Sequence, residues 1–142
     1  MHEKIQYFKN ELKNYNYYKD RLKELQFQLE KVVYQLEGVR GVDPSRPMSK
    51  SKATGMQNFF SLMKKEEALE NEIKILADKF ELLNDLITWF DYPYNKVIIS
   101  IYVDNDSTYE KLIDEYNINY SDRHLKRLIN KEIKGFINNF KL

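Results

Sequence analysis

The sequence predicts an all-α fold: a long antiparallel helical hairpin, coiled-coil-like, over residues 1–90, then a small module of short helices over 91–142. Three observations carry that prediction. Apolar residues recur three and four apart along two long stretches, the spacing that lines one side of a helix. Three of the four glycines and two of the three prolines gather between those stretches, in 38–56. Shorter helical stretches follow Pro93, and positive charge is concentrated on the last of them.

The first stretch places Ile5, Phe8, Leu12, Tyr15, Tyr18, Leu22, Leu25, Leu29, Val32 and Leu36 on a heptad seam with one three-residue phase slip near Tyr15. No Gly or Pro occurs before Gly38, so one uninterrupted helix is expected, roughly 50 Å long at 1.5 Å per residue. Residues 38–56, with their Gly, Pro and Ser, read as a mobile connector rather than a helix interior. Arg40, Arg46, Lys50 and Lys52 make the connector basic, which suits either an ordinary solvated linker, the commoner case, or an arm along a nucleic-acid backbone.

From Phe59 the seam resumes through Leu62, Glu66, Leu69, Ile73, Leu76, Phe80, Leu83, Ile87 and Phe90, with only Glu66 out of type. Two amphipathic helices of similar length, each with one stripe to hide, should fold back on each other. Phe27, Val33, Phe60, Leu82 and Leu86 broaden the stripe, so pairing of two hairpins into a dimeric four-helix assembly is expected; the seam could equally end against the C-terminal module.

Asp91, Tyr92 and Pro93 mark a hinge, with Pro93 suited to open a helix because its missing amide hydrogen is not needed there. The helix expected over 94–103 offers Val97, Ile98, Ile101 and Tyr102 to the module core. Trp89 and Phe90 are expected to pack at the junction, a core aromatic being a commoner fate for Trp89 than ligand stacking.

The next helix is announced by Asp106, Ser107 and Thr108, with Glu110 placed to close a capping box on Ser107. Leu112, Ile113 and Tyr116 are its short apolar face. Asn117, Ile118 and Asn119 break the pattern, and Asn tolerates the left-handed backbone that a tight turn between helices needs. Ser121 restarts it as an N-cap. Leu125, Leu128, Ile129, Ile133, Phe136 and Phe140 form the inward stripe of the last helix, while Arg123, Arg127, Lys131 and Lys134 fall on one outward strip.

Residues 119–142 carry six Lys or Arg against two acids, a net of +4, whereas 57–118 carry six against thirteen, a net of −7. A chain of net charge +1 thus concentrates its cations on its last helix, as binding to a phosphate backbone requires. The charges alone also fit a solvated basic face on an ordinary helix.

Residues 98–102, 108–116 and 121–137 resemble the C-terminal helix-turn-helix of the RinA and ArpU families of phage transcriptional regulators, a module similar to region 4 of bacterial sigma factors. The most specific piece is Ser121, Asp122 and Arg123 followed by Lys126 and Arg127 and an apolar-basic alternation. The family carries a small residue where Ile113 stands, a Gly-like position at Asn117 and a shorter turn than 117–120.

The resemblance implies a sequence-specific, double-stranded DNA-binding regulator, an activator of late or packaging genes, with RNA polymerase as a further partner. Arg123 and Arg127 are the candidates for base edges, because guanidinium matches the two acceptors of guanine. His124 and Lys126 are candidates for bases or adjacent phosphates, and Lys131 and Lys134 for the backbone. Tyr109 and Ser121 complete the candidate DNA-binding set, Tyr109 by positioning the first helix across a phosphate.

Other chemistries find no support in the sequence. No cysteine is present, which excludes disulfides and cysteine-ligated zinc and fits a reducing cytoplasm. His2 and His124 stand at opposite ends with no ligand spacing around them, so no metal or other cofactor and no catalytic residue is expected. Glycine-rich phosphate loops and nucleophile motifs are missing. Glu66, Glu67, Glu70 and Glu72 fit a solvated face better than an acid/base pair. The N-terminal residues lack a signal-peptide apolar run, and no stretch of about 18 apolar residues occurs, so a cytoplasmic protein without membrane contact is expected. The rival functions are a helical protein-interaction or inhibitor module without DNA binding, and the small DNA-recognition subunit of a phage terminase.

Overall fold

The computed structural model describes residues 1–40 and 50–142, with side chains over 1–38 and 56–142, and is all-α over those residues. Six helices follow one another: α1 (His2–Lys13), α2 (Tyr15–Arg40), α3 (Lys50–Trp89), α4 (Tyr94–Ile98), α5 (Tyr109–Glu115) and α6 (Asp122–Asn139), with a π-helical turn over Ile99–Val103 after α4.

The single N-terminal helix expected from the sequence is interrupted at Asn14. Its backbone sits at φ −93° and ψ 4°, and its amide donates to the Glu11 carbonyl three residues back rather than four. The phase slip near Tyr15 is the sequence trace of that break: a three-residue step overwinds a seam, and a tightened turn absorbs it.

At the other end, helix reaches into the segment expected to be a connector. Gly38 lies in α2 and Gly55 in α3. A helical glycine costs only about 1 kcal/mol relative to alanine, which long flanking helices outweigh. Residues 41–49, with Pro44, Pro47 and Arg46, lie outside the described residues, and so does the question of a basic arm.

The chain divides into two compact units, Met1–Lys19 with Lys79–Leu142, and Asp20–Asp78. The sequence reading divides the chain at 90/91 instead. The difference arises because α1 and the last turns of α3 bury their apolar residues in the same unit as the C-terminal helices.

In the unit Asp20–Asp78, the α2 and α3 segments share a core of Leu25, Val32, Leu36 and Leu69, flanked by Leu29, Phe59, Leu62, Ile73 and Leu76. These are the expected seam positions. Arg21 joins Glu24 at 3.1 Å and Glu72 at 3.2 Å on the surface, where solvent screens both pairs and leaves them little weight in stability. Phe27, Val33 and Phe60, expected to broaden the stripe, are exposed, as are Tyr34, Met63 and Ile75.

In the other unit, α6 supplies the centre. Leu125, Ile129, Ile133, Phe136 and Ile137 are all buried. Phe8 of α1 meets Phe136 edge-on at 6.0 Å, and Lys4 donates to the terminal backbone carbonyl of Leu142 at 2.8 Å, so α1 lies along α6. Leu12 of α1, Leu83 and Leu86 of α3, Phe90 just after it, Val97 and Ile98 of α4, and Leu112 of α5 are buried with them. Trp89 packs edge-on against Phe136 at 5.9 Å and Phe140 at 6.3 Å, the core role expected of it.

Several expectations for this unit need correcting. Phe140 is 45% exposed, because α6 ends at Asn139 and Ile137 takes the buried place instead. Within 94–103 the buried residues are Val97, Ile98 and Val103, while Ile101 and Tyr102 are only half-buried. The wider π-helical turn rotates the last residues away from α-helical spacing. No capping box forms on Ser107: the N-cap of α5 is Thr108, whose hydroxyl accepts from the Lys111 amide at 3.3 Å, and Glu110 stands one position too early to reach back.

Past α5 the turn forms as expected. Asn117 adopts φ +53°, and the Ile118 amide returns to the Ile113 carbonyl at 3.0 Å, the bond that closes a helix end in the Schellman pattern. Asn117→Gly is therefore expected to be neutral or slightly stabilising, whereas Asn117→Val should lose about 1 to 2 kcal/mol, read as a lower urea midpoint at unchanged slope.

Candidate nucleic-acid interface

Residues 116–121 separate α5 from α6, and Ser121 starts α6 from an extended backbone at φ −69° and ψ 162°. Its hydroxyl accepts from the His124 amide at 3.2 Å, satisfying one of the open amides of the first turn. The hydroxyl of Ser121, one of the candidate contacts, is thus engaged in capping. The His124 ring lies against Tyr120, with centroids 4.5 Å apart, and remains exposed.

Burial of one side of α6 decides what the other side presents. Arg123, Arg127, Lys131 and Lys134 are exposed, and among the described residues none of them makes an ion pair. At 3.6 residues per turn they fall within an arc of about 80°. The two acids of the helix, Asp122 and Glu132, are half-buried and lie roughly 100° or more from Arg123 around the axis. The strip is accordingly uninterrupted by negative charge from its own helix.

Lys126 stands on the flank of that strip, exposed, with its ammonium 5.3 Å from the centre of the Tyr109 ring. Tyr109 itself is half-buried, and its hydroxyl is 2.7 Å from that of Tyr102. Burial, then the Tyr102 hydrogen bond and the proximity of Tyr102, push the Tyr109 phenol well above its ordinary pKa, so it stays protonated. The phosphate contact expected of Tyr109 has to share its hydroxyl with Tyr102. Of the eight candidate residues, then, Arg123, His124, Lys126, Arg127, Lys131 and Lys134 are exposed along α6, while Ser121 and Tyr109 already hold local partners.

Sequence reasoning missed one cation beside this set. Lys9 of α1 has its ammonium 5.7 Å from the centre of the Tyr102 ring. Burial lowers its pKa, and the charges of Lys126 and Lys13 lower it further. Nothing in the local pattern of α1 links Lys9 to α6.

Among the described residues, no group of His, Asp or Glu is arranged to hold a metal ion, and no helix is long and apolar enough to cross a membrane.

Removing the cap tests how far α6 depends on its first turn. Ser121→Ala should lower stability by about 1 kcal/mol, and Ser121→Asp should restore it. Both are read from urea unfolding followed by circular dichroism.

Compared with known proteins, the chain matches no family model, no curated protein and no solved structure.

Proposed function

We propose that the chain is a sequence-specific double-stranded DNA-binding transcriptional regulator of the RinA/ArpU kind, working in a bacterial cytoplasm without a catalytic step. One observation carries the reading: Arg123, Arg127, Lys131 and Lys134 stand exposed on one strip of α6 without an acid paired to any of them among the described residues. In this reading α5, the turn and α6 act as a helix-turn-helix, and α6 enters the major groove with its N-terminal end leading. Arg123 and Arg127 then meet base edges, while Lys131 and Lys134, further along the helix, follow phosphates.

The salt response separates these roles. Binding to preferred and random duplexes is measured by fluorescence anisotropy across a series from about 50 to 200 mM salt, where counterion release predicts a steep fall. Arg127→Ala should cost about 1 to 3 kcal/mol on the preferred duplex and little on the random one. Lys134→Ala should weaken both alike. Absence of duplex binding at the lowest salt refutes the regulator and leaves the protein-interaction module.

A second copy of the chain is the partner proposed for the unit Asp20–Asp78. Phe27 and Tyr34, one heptad apart on α2, are 57% and 78% exposed, and Phe60 and Met63 on α3 are also exposed. Two helices packed on a single seam leave such outer faces without cover, and pairing two of these units into four helices would bury them. Sedimentation equilibrium at micromolar concentration should give twice the chain mass of 17.2 kDa. The mass of a single chain refutes the dimer, and a mass several times larger favours the ring of a terminase subunit.

A further inference from the structure

The π-helical turn over Ile99–Val103 and the first residue of α5 bring two phenols together. Tyr102 and Tyr109 are half-buried, with their hydroxyl oxygens 2.7 Å apart. A hydroxyl carries one hydrogen, so in such a pair one group donates to the other and the second hydrogen is left for a further acceptor. Each ring also carries an ammonium: Lys9 at 5.7 Å from the Tyr102 centre and Lys126 at 5.3 Å from the Tyr109 centre. Lys9 comes from α1 and Lys126 from α6, helices that also touch through Phe8 and Phe136, about 15 Å further along α6 from Lys126.

The cluster consists almost entirely of donors. Among the described residues, neither Lys9 nor Lys126 has a carboxylate within ion-pair distance. Lys9 is half-buried, and the charges that bear on it, Lys126 and Lys13, are both positive. Holding like charges together beside a partly buried surface is unfavourable unless an anion joins them. Aromatic faces offset part of that cost and fix the ammonium positions. An oxyanion with two accessible oxygens would complete the arrangement, one oxygen toward each lysine.

We propose that Lys9 and Lys126, seated on the Tyr102 and Tyr109 pair, form a two-lysine clamp for a phosphate group, supplied by a phosphodiester of the DNA backbone beside the strip on α6. The inference rests on the DNA-binding reading above and adds α1 to the interface. Lys126 lies about 60° around α6 from Arg123. The clamp therefore touches a phosphate flanking the groove rather than a base, and it strengthens binding to any sequence.

The test uses the full chain with Lys9→Gln, Lys9→Arg and Arg127→Ala. Lys9→Gln should weaken preferred and random duplexes by the same factor, roughly 5- to 10-fold at about 0.1 M salt, and reduce the slope of log K against log salt by about 0.9. Lys9→Arg should keep most of the affinity and the slope. Arg127→Ala should instead change the preference between duplexes. If Lys9→Gln leaves affinity and slope unchanged while Arg127→Ala still lowers preferred binding, the clamp is refuted and the DNA-binding reading stands. If the unaltered protein binds no duplex, the DNA-binding reading fails and inorganic phosphate becomes the deciding probe. Saturable shifts of the Lys9 and Lys126 side-chain NMR signals on adding inorganic phosphate, lost in Lys9→Gln, would keep the clamp as a free-phosphate site; no shift would refute it.

Discussion

The contact of Phe8 with Phe136 fixes which side of α6 faces outward. Phe136 lies in the C-terminal half of the buried stripe of α6, and Phe8 and Trp89 approach it from α1 and α3. Once Leu125, Ile129, Ile133 and Phe136 must be dry, the four cations on the opposite side have nowhere to go but into solvent. An apolar requirement on one face thereby sets an electrostatic property of the other. Lys9, which follows Phe8 directly in α1, lies over Tyr102, whose hydroxyl meets that of Tyr109 beneath Lys126.

Charge distribution gives this geometry its meaning for function. The acids of the chain are concentrated between 57 and 118, and the ion pairs among the described residues involve Arg21 and Lys79 and no residue of α6. Had Glu11 or Glu72 reached α6 instead, the strip would be neutralised and the DNA-binding reading would lose its support. Phosphate groups compete well for such cations because the released counterions add a favourable term that a single surface carboxylate does not supply.

The unit Asp20–Asp78 poses a different physical problem. Among the described residues its core holds Leu25, Val32, Leu36 and Leu69, and its outer faces keep Phe27, Tyr34, Phe60 and Ile75 in water. A pair of helices has too little interior to hide more than one stripe from each. A second copy covering those rings, as proposed, would add to the stability of the unit and so link partner and fold.

Periodicity determined that the chain is helical and which residues form the seam of α2 and α3, and residue type determined where α6 begins: Ser121 is an N-cap, and Asn117 takes the left-handed backbone that its type permits. These features depend on neighbours within a few residues, so the local pattern carries them. Tertiary structure decided the rest. Which faces of α1, the end of α3 and α6 are buried together, with Phe8 and Trp89 both against Phe136, follows from packing between segments far apart in the chain. So does the seating of Lys9 on Tyr102 and of Lys126 on Tyr109, two rings joined through their hydroxyls, since the four residues come from separate segments of the chain.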